Sequence, residues 1–113
     1  MVVLGALAVA AALSTAPASC HTVHGRMGLW NGAPTVRIAV TGSHRLLGVV
    51  QPSERLDDLP ASVRAIWTGR DSDADWATSI VGDFEVCPVD VAQPGHLQMV
   101  RLVQARRLSA AKR

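Results

Sequence analysis

Residues 35–41 read TVRIAVT, with Val36, Ile38 and Val40 alternating with Thr35, Arg37 and Ala39. That period of two fits a strand with one buried face and fits no helix. Turn signals bracket it, Asn31-Gly32 on one side and Gly42-Ser43 on the other. Asn-Gly accepts positive φ at both central turn positions, so residues 21–29 (HTVHGRMGL) are expected to fold back on 35–41 as a hairpin. Within that first stretch, Gly25 and Gly28 mark places where strands bulge or bend. Residues 44–50 (HRLLGVV) read as a third strand, completing a meander by residue 50.

The next segment, QPSERLDDLP over 51–60, has two prolines and no apolar alternation, and predicts a loop. Asp58 suits a helix cap and Pro60 a first turn. Val63, Ile66 and Trp67 then fall at i, i+3 and i+4, which predicts one short helix ending near Gly69. Residues 70–75 form a polar loop. A fourth strand is expected within 76–89, with Val81, Phe84 and Val86 facing inward and a bend at Gly82. After a loop holding Pro88, Pro94 and Gly95, residues 96–108 (HLQMVRLVQARRL) are a strand by content, though the Ala-Arg-Arg end suits a helix equally. Residues 106–113 read as a basic tail. The order β-β-β-α-β-β predicts a mainly β fold, a small five-stranded barrel or sheet with one short helix. It is similar to the order of OB-fold barrels. An SH3-like barrel or a plain antiparallel sheet would use the same elements.

Ahead of the domain, residues 2–13 (VVLGALAVAAAL) are continuously apolar, and Ser14-Thr15-Ala16-Pro17-Ala18 follows with the small-x-small pattern of a signal-peptidase site. We expect a signal peptide over 1–18 and a domain over 19–105. The run is shorter than the about 20 residues a spanning helix needs, so no membrane span is expected after processing. No Lys or Arg precedes it, unlike the usual leader, and the first charged residue is Arg26. A buried N-terminal helix, the alternative, would show a polar face at 3.6 spacing, and none is visible. Export implies a periplasmic or secreted, oxidising location, in which pairing Cys20 with Cys87 accounts for both cysteines. Acylation of Cys20 is the other option. It would place Pro17 where such sites favour Leu and leave Cys87 alone.

Gly25-Arg26, the run from Asn31 through Ile38 (NGAPTVRI), Arg45-Leu46-Leu47-Gly48, the run from Gly82 through Pro88 (GDFEVCP) and Met99-Val100 resemble the recurring words of a family of small exported proteobacterial proteins of unknown function. The resemblance covers nearly all of the chain after the leader. It implies export and a Cys20–Cys87 pair, and it brings no activity, cofactor or catalytic residue with it.

Charge narrows the function classes. All nine acids lie between residues 54 and 90, accompanied only by Arg55, Arg64 and Arg70. Arg26, Arg37, Arg45, Arg101, Arg106, Arg107, Lys112 and Arg113 stand outside that segment without an acid. An anionic envelope component or a protein partner could dock on them, or they are solvated faces that neutralise the acidic segment. With one Phe, three Trp and no Tyr, the stacking platforms of single-strand binders are scarce, which disfavours nucleic acid. In an OB-like barrel, strands two and three and the loops joining strands one to two and four to five form the ligand face. Trp30, Arg37, Arg45 and His96 would gather there.

Metal chemistry has two faint signals. His21 and His24 point to opposite faces of a strand, which is no clamp. Cleavage after Ala18, however, would put His21 third from a free amine, a terminus that can wrap Cu(II) or Ni(II). Asp71-x-Asp73-x-Asp75 opens like a calcium loop, but Trp76 and Gly82 occupy the positions that need Gly and Glu. No nucleophile elbow, phosphate-cradling glycine loop or His-Glu-x-x-His occurs, and no cofactor is expected. The expected function is therefore an exported, non-catalytic binding or structural module. A Cu/Ni-binding protein using the processed terminus and a secreted hydrolase without a recognisable motif are the alternatives.

Overall fold

The computed structural model describes residues 19–68 and 73–113, so the expected leader lies outside the described residues. Five strands form: β1 (His21–Leu29), β2 (Val36–Val40), β3 (Leu46–Val49), β4 (Thr78–Pro88) and β5 (Gln98–Lys112). They close into a barrel in the order β1-β2-β3-β5-β4, with β4 returning to β1. Every pairing is antiparallel except that of β3 with the first residues of β5. The expected mainly β, five-stranded, OB-like barrel is thus present, and closure of the ring distinguishes it from a plain sheet.

Alternation along the strands fills the interior. Val23, Met27 and Leu29 of β1, Val36 and Ile38 of β2, and Leu47 and Val49 of β3 are buried together with Phe84 of β4. The segment between β3 and β4 covers this core with Leu59, Val63 and the fully buried Trp67. Trp67 Nε1 donates to Thr78 O at 3.1 Å, so the largest core side chain keeps its one polar atom satisfied.

Several local expectations are corrected. The helix is a single turn, α1 (Ala61–Arg64), although helical spacing continues to Trp67 N, which donates to Val63 O. A second turn, α2 (Asp73–Trp76), forms where a polar loop was expected. Its Asp75 is buried and accepts from Thr68 N, which gives the third acid of the calcium-like run a structural partner. Asp58 does not cap α1, whose N-cap is Pro60. Asp58 instead accepts from Ser53 N and Oγ, both at 2.8 Å, and these bonds hold its carboxyl below its ordinary pKa. At Asn31-Gly32 only Gly32 takes positive φ. The connection is a four-residue loop over 31–34, closed by Trp30 N donating to Thr35 O, rather than a two-residue turn.

The C-terminal strands explain two further differences. In β4 the inward residues are Ile80, Gly82, Phe84 and Val86, while Val81 is half-buried on the other parity. Residues 106–113 are not a tail, because β5 runs to Lys112, which pairs with Thr78. The register steps from Glu85↔Gln104 to Val86↔Leu102 and from Val81↔Ser109 to Asp83↔Arg106, so each step leaves an extra residue on β5. Val103 and Arg107 flank or fill these bulges, and Arg107 has a φ of 53°. Bulges convert the inward spacing of β5 from two to three, giving Leu102, Ala105 and Leu108.

Gly25 faces Gly82 across β1 and β4, at the point where β1 begins to pair with β2 as well. A Cβ on Gly25 would lie 2.5 Å from Ala39 O and 3.0 Å from Ile38 Cγ2. The strand can bend tightly there only without a side chain. Gly25→Ala should therefore cost about 1–3 kcal/mol of stability through overpacking, read as a lower urea midpoint with an unchanged slope.

Candidate functional site

Two turns with glycine in the left-handed region lead into the two sides of one cleft. Between β2 and β3, Ser43 N donates to Val40 O and Gly42 has a φ of 77°. Between β4 and β5, His96 N donates to Gln93 O and Gly95 has a φ of 78°, following Pro94. Both match the type II pattern, in which the third position requires positive φ. Parallel pairing of β3 with β5 sets the two turns side by side. The resulting cleft has a volume of about 640 Å³ and includes His44, Arg45, Leu46, His96, Leu97 and Gln98 in its lining.

Arg45 Nη2 donates to Gln98 Oε1 at 2.7 Å, and Gln98 Nε2 donates to Asp90 O at 3.1 Å. Asp90 Oδ1 in turn accepts from Met99 N at 3.0 Å. This chain of bonds aims the guanidinium without neutralising it. Among the described residues, no carboxylate, hydroxyl or thiol lines the cleft.

The sequence-selected residues separate into two groups at opposite ends of β2. Arg45 and His96 share the cleft. Trp30 and Arg37 lie in and beside the β1–β2 loop, where the Arg37 guanidinium stands 5.3 Å from the Trp30 ring centroid and that of Arg113 5.6 Å away. Arg37 Nε also donates to Pro34 O at 2.9 Å, and Arg113 donates to Leu29 O and Trp76 O. These contacts fasten the loop to the end of β5. Trp30→Ala should lower stability by about 1–2 kcal/mol through loss of two cation–π contacts, measured by thermal unfolding, and leave the chemical shifts of cleft residues in place.

His21 is exposed at the start of β1, with Nδ1 3.5 Å from Ser19 O. Its backbone is paired with Val86, and the disulfide joins Cys20 to Cys87 one step further along the same ladder, spanning 67 residues. Both features compete with a metal for that backbone. Among the described residues, no group of three or more His, Cys, Asp or Glu side chains could hold a metal ion. Among the described residues, too, no helix is long and apolar enough to cross a membrane.

Sequence reasoning missed a cluster on the outer face of β1 and β4. His24 Nδ1 donates to Asp83 Oδ1 at 2.7 Å, and Arg107 Nε contacts Asp83 Oδ2 at 3.0 Å. Only pairing β1 with β4 joins these residues, and only the bulge swings Arg107 to that side, so no local pattern announces them. The hydrogen bond from His24, followed by the charge of Arg107, holds the Asp83 carboxyl below its ordinary range. None of these groups lines the cleft. The Asp83 carboxylate neutralises part of the basic β5, as does that of Glu85, 3.9 Å from Arg106.

A depressed carboxyl pKa stabilises the fold above the unfolded value and loses that contribution as pH falls through the folded value. Asp83→Asn should therefore lower the melting temperature at neutral pH. The gap from the parent protein should narrow below about pH 4, as shown by melting curves of both proteins across the acid limb.

Comparison with family models, curated proteins and solved structures found no match.

Proposed function

We propose that the chain is an exported, non-catalytic binding module that holds an anionic component of the cell envelope in the cleft beside Arg45 and His96. The observation that carries this reading is the lining: one unneutralised guanidinium and two imidazoles share a cleft that, among the described residues, contains no carboxylate. Such a site favours an anion through the charge of Arg45, whose guanidinium is held in place by Gln98. Lack of a nucleophile or carboxylate in the same lining supports binding over hydrolysis. A Cys20–Cys87 bridge fits an oxidising compartment, and the leader-like residues 1–18 and the family resemblance agree with export.

Two measurements test the reading. Intact mass of the protein from an envelope fraction should give a chain beginning at Ser19 with a reducible bridge; a full-length chain with two free thiols would overturn export. Titration of the folded domain with inorganic phosphate at low ionic strength, followed by amide chemical shifts, should move His44, Arg45 and His96 first. Shifts confined to other faces, or none at all, would overturn the anion site.

A further inference from the structure

Arg45 and the two imidazoles form only part of the cleft. Leu46, Leu47, Ala92, Pro94 and Leu97 supply most of the rest of its wall, with Gln93, Gly95 and Gln98 between them, so the guanidinium stands at the margin of a largely apolar trough. A phosphate or carboxylate alone would satisfy Arg45 and the imidazoles and leave this apolar surface wet. A sugar or a fully polar polymer would do the same. An apolar molecule without charge would leave the guanidinium partly desolvated with no counter-ion, which is costly.

We infer that the ligand of this cleft is an anionic amphiphile: one acidic headgroup held by Arg45, His44 and His96, joined to an alkyl chain that lies along Leu46, Pro94 and Leu97. This inference rests on the anion-binding reading above and adds the chemical class of the molecule. Several features preorganise the site for it. Gln98 pins one side of the guanidinium and leaves its other N–H groups to the headgroup. The 93–96 turn holds His96 at the rim, while Leu97 is half-buried below it. A volume of about 640 Å³ lies within the range of small-molecule sites and exceeds what a bare oxyanion fills.

The probes are octyl phosphate, held below its micellar concentration, and inorganic phosphate, each titrated into the folded, disulfide-bonded domain. Octyl phosphate should bind about 30-fold or more tightly, the gain expected from taking a few methylenes out of water. Arg45→Gln should weaken both ligands by about tenfold or more. Leu97→Ser should reduce the advantage of the octyl chain and leave inorganic phosphate unchanged, a split that general unfolding cannot produce. His96→Gln, on an exposed turn, gives a second headgroup variant should Arg45→Gln fail to fold. Equal affinity for the two probes would overturn the amphiphile and leave the anion site standing. Binding of neither would overturn both readings, and octyl phosphate binding that ignores Arg45→Gln and His96→Gln would show a chain-only contact and overturn this inference.

Discussion

The arrangement depends on three backbone positions: Leu47, Gly48 and Val49 of β3 pair in parallel with Gln98, Met99 and Val100 of β5. Parallel neighbours cannot be joined by a tight turn and require a long crossover. Here the crossover contains α1, α2 and all of β4, and it brings Leu59, Val63 and Trp67 over the core. Parallel direction also means that β3 and β5 begin at the same end of the barrel. The turn before β3 and the loop before β5 therefore become the two walls of one cleft. Core cover and candidate site follow from a single short ladder.

Gly48 shows how tightly that ladder is built. A Cβ there would sit 2.6 Å from Pro34 Cγ and 2.7 Å from Met99 Sδ, so the β1–β2 loop and β5 meet over a strand with no side chain of its own. Gly25 and Gly82 perform a related task inside the barrel, where β1 is shared between β2 and β4. The Cys20–Cys87 bridge secures the far end of the β1–β4 ladder. By the chain-entropy relation, a loop of that length contributes at most about 4 kcal/mol, large against the stability of a small domain.

Much of the fold was legible because its signals are local. The alternation of Val36, Ile38 and Val40 and the apolar triplet Val63, Ile66 and Trp67 mark the faces turned to the core, and the glycines of the turns mark positive φ. The less legible parts arise from pairing at a distance. Two bulges shift the inward residues of β5 to every third position, so a strand acquires a spacing that imitates a helix. Val81 gives way to Ile80 and Gly82 on the inner face because Gly82 must oppose Gly25. Asp58 serves a loop rather than a helix, because its carboxylate takes both donors of Ser53 and the N-cap of α1 is Pro60. Of the candidate site, Arg45 and His96 were accessible from the expected barrel order. Trp30 and Arg37 could not be assigned to the separate Arg113 cluster without knowing where β5 ends.

The late position of β5 in the chain has a consequence for how the barrel is made. β1 through β4 cannot form a ring by themselves, since β3 and β4 have no common edge except through β5. Before β5 docks, each would present unpaired N–H and C=O groups to any other strand in reach. Contacts of this sequence separation are also the slow ones to form. Assembly is therefore a last-strand problem: the interval between synthesis of β4 and docking of β5 is when this small chain is most open to pairing with its neighbours.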